Sequence, residues 1–407
     1  MNRGSIRTLS IGCITLAIIL YAFTPLSQSV QGTNSTTIAI GGTPYDLAVT
    51  PDGKYAYVPN GENVSVIDIA TNKVTTSITA QNWPTGIAIT PDGKYAYVAD
   101  VNSPTGQEGL VSVISIATNS VVATITVGGN PNRGVAVTPD GKYVYVTNVD
   151  GSVAVISTTT NTVTENIAIP TLDTTNTLAP GITIGSSSIP QAVAITPNGE
   201  YAYVTNADGT VSVISTITNT VSTTITLGGN PNAVAITPNG DYAYVTNSGN
   251  NSVSVISTAT NTETSTITGL DAPTDLAVTP DSKYVYVTNY FNNSVSVINT
   301  STNAIERTVT AGNSPYGIAI TPNGDYAYVT NLASSATNSP VANWAGTVSV
   351  ISIGANTSTT DASSSNTSTE SIFSAETLAI ILLAVVITIL AVAVIAVKKR
   401  KKAQNKI

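Results

Sequence analysis

The chain has 407 residues, of which only 9% are charged, with a formal net charge of −8, no histidine and one cysteine, Cys13. A lone cysteine excludes an internal disulfide, and the lack of histidine removes the usual zinc ligands and the commonest general base. Thr, Ser, Asn, Val and Tyr dominate the body of the chain, a composition that points to an all-β protein.

In chain order, residues 1–30 read as a secretory signal. Arg3 and Arg7 form a positive start, IGCITLAIILYAF an apolar stretch, and Ser27-Gln28-Ser29 a set of small residues for cleavage. An uncleaved signal anchor is the alternative. Cys13 opens the apolar stretch instead of following it, which argues against a lipid attachment.

From residue 36 onward the sequence repeats. Tyr-x-Tyr-Val recurs at Tyr55, Tyr95, Tyr143, Tyr201, Tyr242, Tyr284 and Tyr326, a base period near 41 with longer intervals where loops are inserted. The fifth unit shows the pattern: AVAIT (233–237), the turn PNGD, YAYVTN (242–247), the turn SGNN, SVSVIST (252–258), the turn ATNT, and ETSTITG (263–269). Four short strands joined by turn chemistry predict one antiparallel sheet per unit. A sheet apolar on both faces needs neighbours on both sides, and a closed ring supplies them. Seven units therefore predict a seven-bladed β-propeller over residues 31–354. A linear solenoid would need polar capping repeats, and none is visible. The last unit lacks a fourth strand, while TTIAIGGTP (36–44) precedes the first unit as an orphan. The N-terminal strand is expected to complete the last blade and close the ring. The paired tyrosines are expected to be core residues between blades.

The phrase YVTN stands intact in five units and is altered to YVPN at Tyr57–Asn60 and to YVAD at Tyr97–Asp100. Recurring over residues 36–353, it resembles the YVTN-family β-propeller repeat found in archaeal surface-layer and cell-surface proteins. The resemblance implies a seven-bladed propeller exposed on a cell surface and implies no reaction. Propellers with similar repeats include lactonase-type enzymes and haem nitrite reductases, a kinship of fold only. The haem branch needs axial ligands such as His, which this chain lacks.

Strand parity predicts two unlike faces. Turns after first and third strands share one face and are monotonous. The long insertions, Val101–Gly109, Pro170–Pro190 and Leu332–Gly346, all belong to the other face, where functional loops are expected. The residues opening the inner strands around the central channel on that variable face are the candidate ligand positions: Tyr45, Asp46, Arg133, Gln191, Asn232, Asp275 and Tyr316. Asp46 and Asp275 raise the possibility of Ca²⁺, which takes oxygen ligands; solvation of the channel mouth is the plainer reading. Trp83 and Trp344 are candidate contact anchors, with packing as the alternative for Trp83. No polar cluster that would break the repeat symmetry is evident, and no catalytic residues are assigned.

Residues 355–376 are rich in Ser, Thr and Asn and read as a flexible stalk. Residues 377–397, TLAIILLAVVITILAVAVIAV, carry no charge and are long enough to span a bilayer as a helix. KKRKK follows, so residues 398–407 read as a cytoplasmic tail and the propeller as lying outside. The final strand is a third strand, so the stalk is expected to leave from the monotonous face. Between signal and span, seven Lys and Arg stand against 23 carboxylates, a net charge of about −16 that argues against a nucleic-acid partner. Asn-x-Ser/Thr sequons at Asn34, Asn63, Asn250, Asn292, Asn299, Asn356 and Asn366 are glycosylation candidates; Asn63, Asn250 and Asn292 are expected in turns of the variable face.

These features favour a non-enzymatic surface protein, anchored in the membrane, that binds an extracellular protein or glycan or associates with itself in a surface layer. An exported lactonase- or lyase-like enzyme is the alternative, and a scaffold or assembly factor a third reading.

Overall fold

The computed structural model describes residues 36–80, 82–101, 109–170, 188–332 and 346–353. The signal segment, stalk, apolar span and tail, most of each insertion, Trp344, and the sequons at Asn34, Asn356 and Asn366 lie outside the described residues. Among the described residues no helix is long and apolar enough to cross a membrane.

Seven four-stranded antiparallel sheets follow one another along the chain. They are blade 1 (48–79), blade 2 (83–126), blade 3 (131–168), blade 4 (190–226), blade 5 (231–268), blade 6 (273–310) and blade 7 (315–352, completed by 36–39). In blade 5 the strands are Pro231–Ile236, Tyr242–Asn247, Ser252–Ser257 and Thr262–Thr268, each hydrogen-bonded to the next. In blade 7 the fourth strand is Thr36–Ala39, which runs antiparallel to Thr347–Ser352 with Thr36 opposite Val350 and Ala39 opposite Thr347. The N-terminal strand thus completes the last sheet, as the orphan segment foretold.

The core lies between blades. Tyr97, Val111, Val113 and Ile125 of blade 2 pack against Val144, Val146, Ala154 and Ile156 of blade 3, and equivalent clusters fill the other joints. At the closing joint Ile38, Tyr328, Val348 and Val350 meet Leu47, Ala56, Val58 and Ile67. The fourth strands alternate exposed and partly covered residues, which explains their Thr-rich composition.

The repeated turn Thr-Pro-Asp/Asn-Gly is a small hydrogen-bonded machine. Thr50 Oγ1 donates to Asp52 Oδ1 at 2.7 Å and accepts from Tyr55 N at 3.0 Å, and Gly53 takes φ 70°. A Cβ on Gly93 would touch Pro51 of the preceding turn, and one on Gly141 would touch Pro91. The turns therefore form a ring of their own, each glycine against the previous proline.

The two tyrosines of each pair behave differently, which corrects the expectation that both are core. Tyr57, Tyr97, Tyr145, Tyr203, Tyr244, Tyr286 and Tyr328 are fully buried, whereas Tyr95, Tyr143, Tyr201, Tyr242 and Tyr326 are exposed. Both members point to the same side of the strand, but the first stands at the strand's open end, where solvent reaches it. The buried hydroxyl has a specific partner. Tyr57 donates to Asn119 Oδ1 at 2.5 Å, Tyr97 to Asn161 at 2.7 Å, Tyr145 to Asn219 at 2.6 Å, Tyr244 to Asn303 at 2.8 Å and Tyr328 to Asn72 at 2.6 Å. Tyr203 and Asn261 make the same bond. In every case the asparagine belongs to the next blade, in the turn between its third and fourth strands. There it takes φ between 49° and 54°, a conformation that asparagine tolerates better than most residues. Burial pushes the Tyr145 hydroxyl up to about 12, so it remains a donor at neutral pH.

Blade 6 is the exception, because blade 7 has no third-to-fourth turn within one stretch of chain. Arg307 fills the gap: its Nη2 donates to Tyr286 Oη at 3.0 Å. Tyr145→Phe is expected to cost about 1 kcal/mol, the typical worth of one hydrogen bond, whereas Tyr143→Phe, with an exposed side chain, should cost a few tenths at most. Urea denaturation of the two variants checks this, and equal midpoints would remove the clasp from the account.

Candidate functional site

The first strands surround the central channel, and on the variable face their opening residues converge. Pro44, Pro84, Pro131, Pro190, Pro231, Pro273 and Pro315 introduce these segments. In blades 2 to 7 the segment then bulges against the second strand; in blade 5, Pro231 pairs with Asn247 and Val234 with Val245, so one extra residue is carried by the inner strand. Bulges re-aim side chains, and here they turn the opening residues into the channel.

The threonine of YVTN holds each bulge to the next blade. Thr205 Oγ1 accepts from Ala192 N at 3.0 Å and donates to Asn232 O at 3.0 Å in blade 5. Thr288 does the same for Asp275 N and Tyr316 O, both at 2.9 Å. Where the motif is altered, other groups serve. Blade 1 has Pro59 in place of threonine, and there Asp46 links the joint: Oδ1 accepts from Leu47 N at 2.7 Å and Oδ2 from Ile87 N of blade 2 at 3.2 Å. Asp275 repeats this, accepting from Leu276 N at 2.8 Å and from Ile318 N of blade 7 at 2.9 Å.

All seven predicted ligand positions come together. Tyr45, Asp46, Arg133, Gln191, Asn232, Asp275 and Tyr316 line one cavity of about 60 Å³ with Ala192, Ala233 and Thr274. At about 10–15 Å³ per water position, that is room for a handful of waters. The mouth is a shallow seat in the disc.

Arg133 dominates it. Nη2 donates to Asn232 Oδ1 at 2.8 Å, Nη1 donates to Tyr316 Oη, and the guanidinium carbon stands 4.7 Å from the Tyr316 ring centroid. One side chain from blade 3 thereby touches blades 5 and 7. Its reach has a cause in the sequence. Pro131 is followed by the repeat threonine after six intervening residues, where every other unit has five. The bulge of blade 3 is accordingly longer: Pro131 pairs with Asn148 but Val135 with Val146, so two extra residues are carried instead of one. The expectation that no polar cluster breaks the repeat symmetry is thus corrected. A single insertion breaks it, at the one cation of the mouth.

Burial raises the pKa of both Asp46 and Asp275, and the charge of Asp275 raises Asp46 further; Arg133 opposes the rise at both. This arrangement does not fit Ca²⁺. That ion takes six to eight oxygens, whereas the mouth offers two carboxylates, each oxygen of which already accepts one backbone N–H, with the Arg133 cation beside them. Among the described residues, no three His, Cys, Asp or Glu side chains come together as a metal set.

Sequence reasoning missed an aromatic extension of the mouth. Tyr316 packs edge-on against Tyr45, with centroids 5.6 Å apart, and against Tyr290 at 6.4 Å; Tyr290 packs against Phe291 at 5.3 Å. Phe291 is 71% exposed. The signal was present: among the described turn residues after the second strands, aromatic side chains occur in blade 6, as Tyr-Phe, and in no other unit. Trp83 is 43% exposed at the start of blade 2 and lies across the turn at Gly61, where a Cβ would come within 3.3 Å of its ring. Asn250 and Asn292 sit in turns and are exposed, as expected. Asn63 instead opens a strand and is half-buried, because the turn before it is only Gly61-Glu62, and Asn299 closes a strand on the opposite face.

Two family models match parts of the chain: a YNCE-like β-propeller over residues 240–405 and a seven-bladed lactonase β-propeller over residues 17–164. No curated protein matches. Among solved structures, the hydrazine synthase of Kuenenia stuttgartiensis is similar, with a TM-score of 0.63, 20% identity, and coverage of 81% of this chain and 99% of that one. At this identity the likeness concerns fold alone. The two partial matches and the ring described above agree on one conclusion: the chain is a seven-bladed β-propeller of four-stranded antiparallel blades.

Proposed function

We propose that this protein is a membrane-anchored, cell-surface recognition module that seats an extracellular ligand at the channel mouth of its variable face. The observation that carries the reading is the inserted residue of blade 3. It departs from an otherwise regular ring and sets one guanidinium between residues of two distant blades. The signal and span read from the sequence supply the surface location, and the kinship with archaeal surface proteins suggested by YVTN fits the same picture. Self-association into a surface layer is compatible with a ligand borne by a second copy.

The test uses the full chain in mild detergent on arrays of immobilised glycans and extracellular proteins, beside Arg133→Gln. Ligands of the native chain should bind the variant about ten- to a hundredfold more weakly, the range for losing hydrogen bonds to a charged group. Equal binding by both chains would remove the mouth as the site.

An exported lactonase-type enzyme is the second reading, favoured by the partial family match. Asp46, whose carboxyl burial and the neighbouring Asp275 hold well above the usual carboxylate range, would then be the candidate acid–base group. Lactone hydrolysis that disappears in Asp46→Asn would favour this reading over recognition alone.

A further inference from the structure

We propose that the unit recognised at the mouth is a carboxylate carried on a saccharide ring, as in a uronic-acid residue of an acidic glycan, with the carboxylate on Arg133 and the ring against Tyr316, Tyr290 and Phe291. The inference rests on the reading of the mouth as a ligand seat and adds the class of ligand.

The first argument is the balance of donors and acceptors. Arginine has five N–H donors in a planar fork that matches a carboxylate. Hydrogen bonds to Asn232 and Tyr316 use two of them. The same bond occupies the Asn232 carbonyl, so its remaining amide group is a donor too. Each carboxyl oxygen of Asp46 and Asp275 already accepts one backbone N–H, and neither carboxylate is paired directly with the guanidinium. The mouth therefore offers N–H groups and calls for an acceptor-rich, planar, anionic partner.

Size is the second argument. A seat with room for a handful of waters takes a carboxylate and the atoms next to it, not an oligosaccharide. The body of the ligand must lie outside, over whatever borders the seat.

The third is that border. From Tyr316 the rings step outward through Tyr290 to Phe291, and Phe291 keeps 71% of its surface exposed. A chain of aromatic rings leading from a cation to an exposed edge suits a ligand with an apolar flat face next to its anionic group. A pyranose carrying a carboxylate has both. The rings are already held edge-on to one another, so little ordering is required on binding.

Charge gives a pH signature. The groups facing the guanidinium are Asp46, Asp275, Tyr45 and Tyr316. Both carboxyls are raised by burial, so protons that leave them as pH rises toward 8 turn the mouth from net positive to net negative. A uronate stays ionised throughout, so its binding should weaken as pH rises from 5.5 to 8.

The experiment is calorimetric titration of the full chain with trigalacturonate, its methyl ester, galactose and acetate. Trigalacturonate is expected to bind at least tenfold more tightly than the other three. Arg133→Gln should abolish the preference for the free acid. Phe291→Ala, at an exposed position that should not disturb folding, should weaken trigalacturonate severalfold and leave acetate unchanged. Acetate binding as tightly as trigalacturonate, or the ester binding equally, would overturn the proposal. If array ligands remain sensitive to Arg133→Gln but trigalacturonate neither binds nor displaces them, the class of ligand is wrong and the mouth stands. If array ligands ignore Arg133→Gln, both fall.

Discussion

Deleting residues 36–42 is expected to lower the melting temperature by about 10 °C or more. Strand 36–39 supplies the whole fourth strand of blade 7. Ile38 is buried in the closing joint with Val348, Val350 and Leu47. Beyond the strand, Ile40 N and Gly41 N both donate to Gly346 O at 3.1 Å, and Asn60 Nδ2 donates to Ile40 O at 3.2 Å, which ties the segment to blade 1 as well. Loss of a buried isoleucine costs about 2–5 kcal/mol, and each ladder bond adds about 1 kcal/mol. The sum is about 5 kcal/mol or more, and each kcal/mol moves the melting point of a large domain by about 2–4 °C. Ile38→Asp should reproduce most of the effect without shortening the chain, whereas Thr37→Ala, on the exposed side of the same strand, should not. Thermal melts of the three variants check the idea. A deletion that melts like the native chain would mean that the ring does not depend on its N-terminal strand.

Asp100→Asn is expected to raise stability at pH 8 and to change little at pH 4. Position 100 carries asparagine in every other blade, and the amide usually donates to a serine of the third strand: Asn60 to Ser65 at 2.9 Å, Asn247 to Ser254 at 2.9 Å, Asn289 to Ser296 at 2.8 Å. Asp100 has no amide hydrogen to give. It accepts from Ser112 Oγ at 2.5 Å instead, is fully buried, and its other oxygen has no partner. Burial pushes its carboxyl up to about 7 from 3.8. Between those values the folded chain holds a proton that the unfolded chain has released. Stability therefore falls as pH rises from about 4 to 7, and the penalty is complete above that. The ceiling is about 4 kcal/mol for a shift of about three pH units. Asparagine removes the titration and restores the donor; its own carbonyl stays unpaired, as at Asn206 and Asn247, at a smaller cost than a buried charge. Melting curves from pH 4 to 8 should be flatter for the variant, with a residual slope of the same sign from Asp46 and Asp275. Coincident curves at pH 8 would show that Asp100 is not the burden its surroundings imply.

The blades and their closure could be read from the sequence because a repeat states the same packing problem seven times. Tyr-x-Tyr-Val marks the second strand each time, and the orphan segment 36–44 stands out only against that regularity. The convergence of Tyr45, Arg133, Asn232 and Tyr316 followed from strand parity for the same reason. What escaped was contained in small departures from the pattern. The extra residue before Thr138 is visible by counting, but counting does not tell that the longer bulge carries Arg133 across the channel to blades 5 and 7. Asp100 is visible as a changed letter, and its consequence depends on burial, which only the neighbouring blades impose. The structural duties of Asp46 and Asp275 could not be read at all, because their partners are backbone N–H groups that a sequence does not display.

The Tyr–Asn clasp bears on how such a chain can grow or shrink. Blades 1 to 6 each carry one clasp tyrosine position and one turn asparagine, yet the two never meet inside their own unit: Tyr145 looks forward to Asn219, and Asn161 is met from behind by Tyr97. A unit copied or lost in frame leaves every remaining joint with a matching pair, so gene duplication can alter the number of blades without inventing an interface. Only the unit at the seam is constrained, because Arg307 has had to replace the missing turn there. Insertion of an additional consensus unit should thus be tolerated between blades 4 and 5 and resisted between blades 6 and 7.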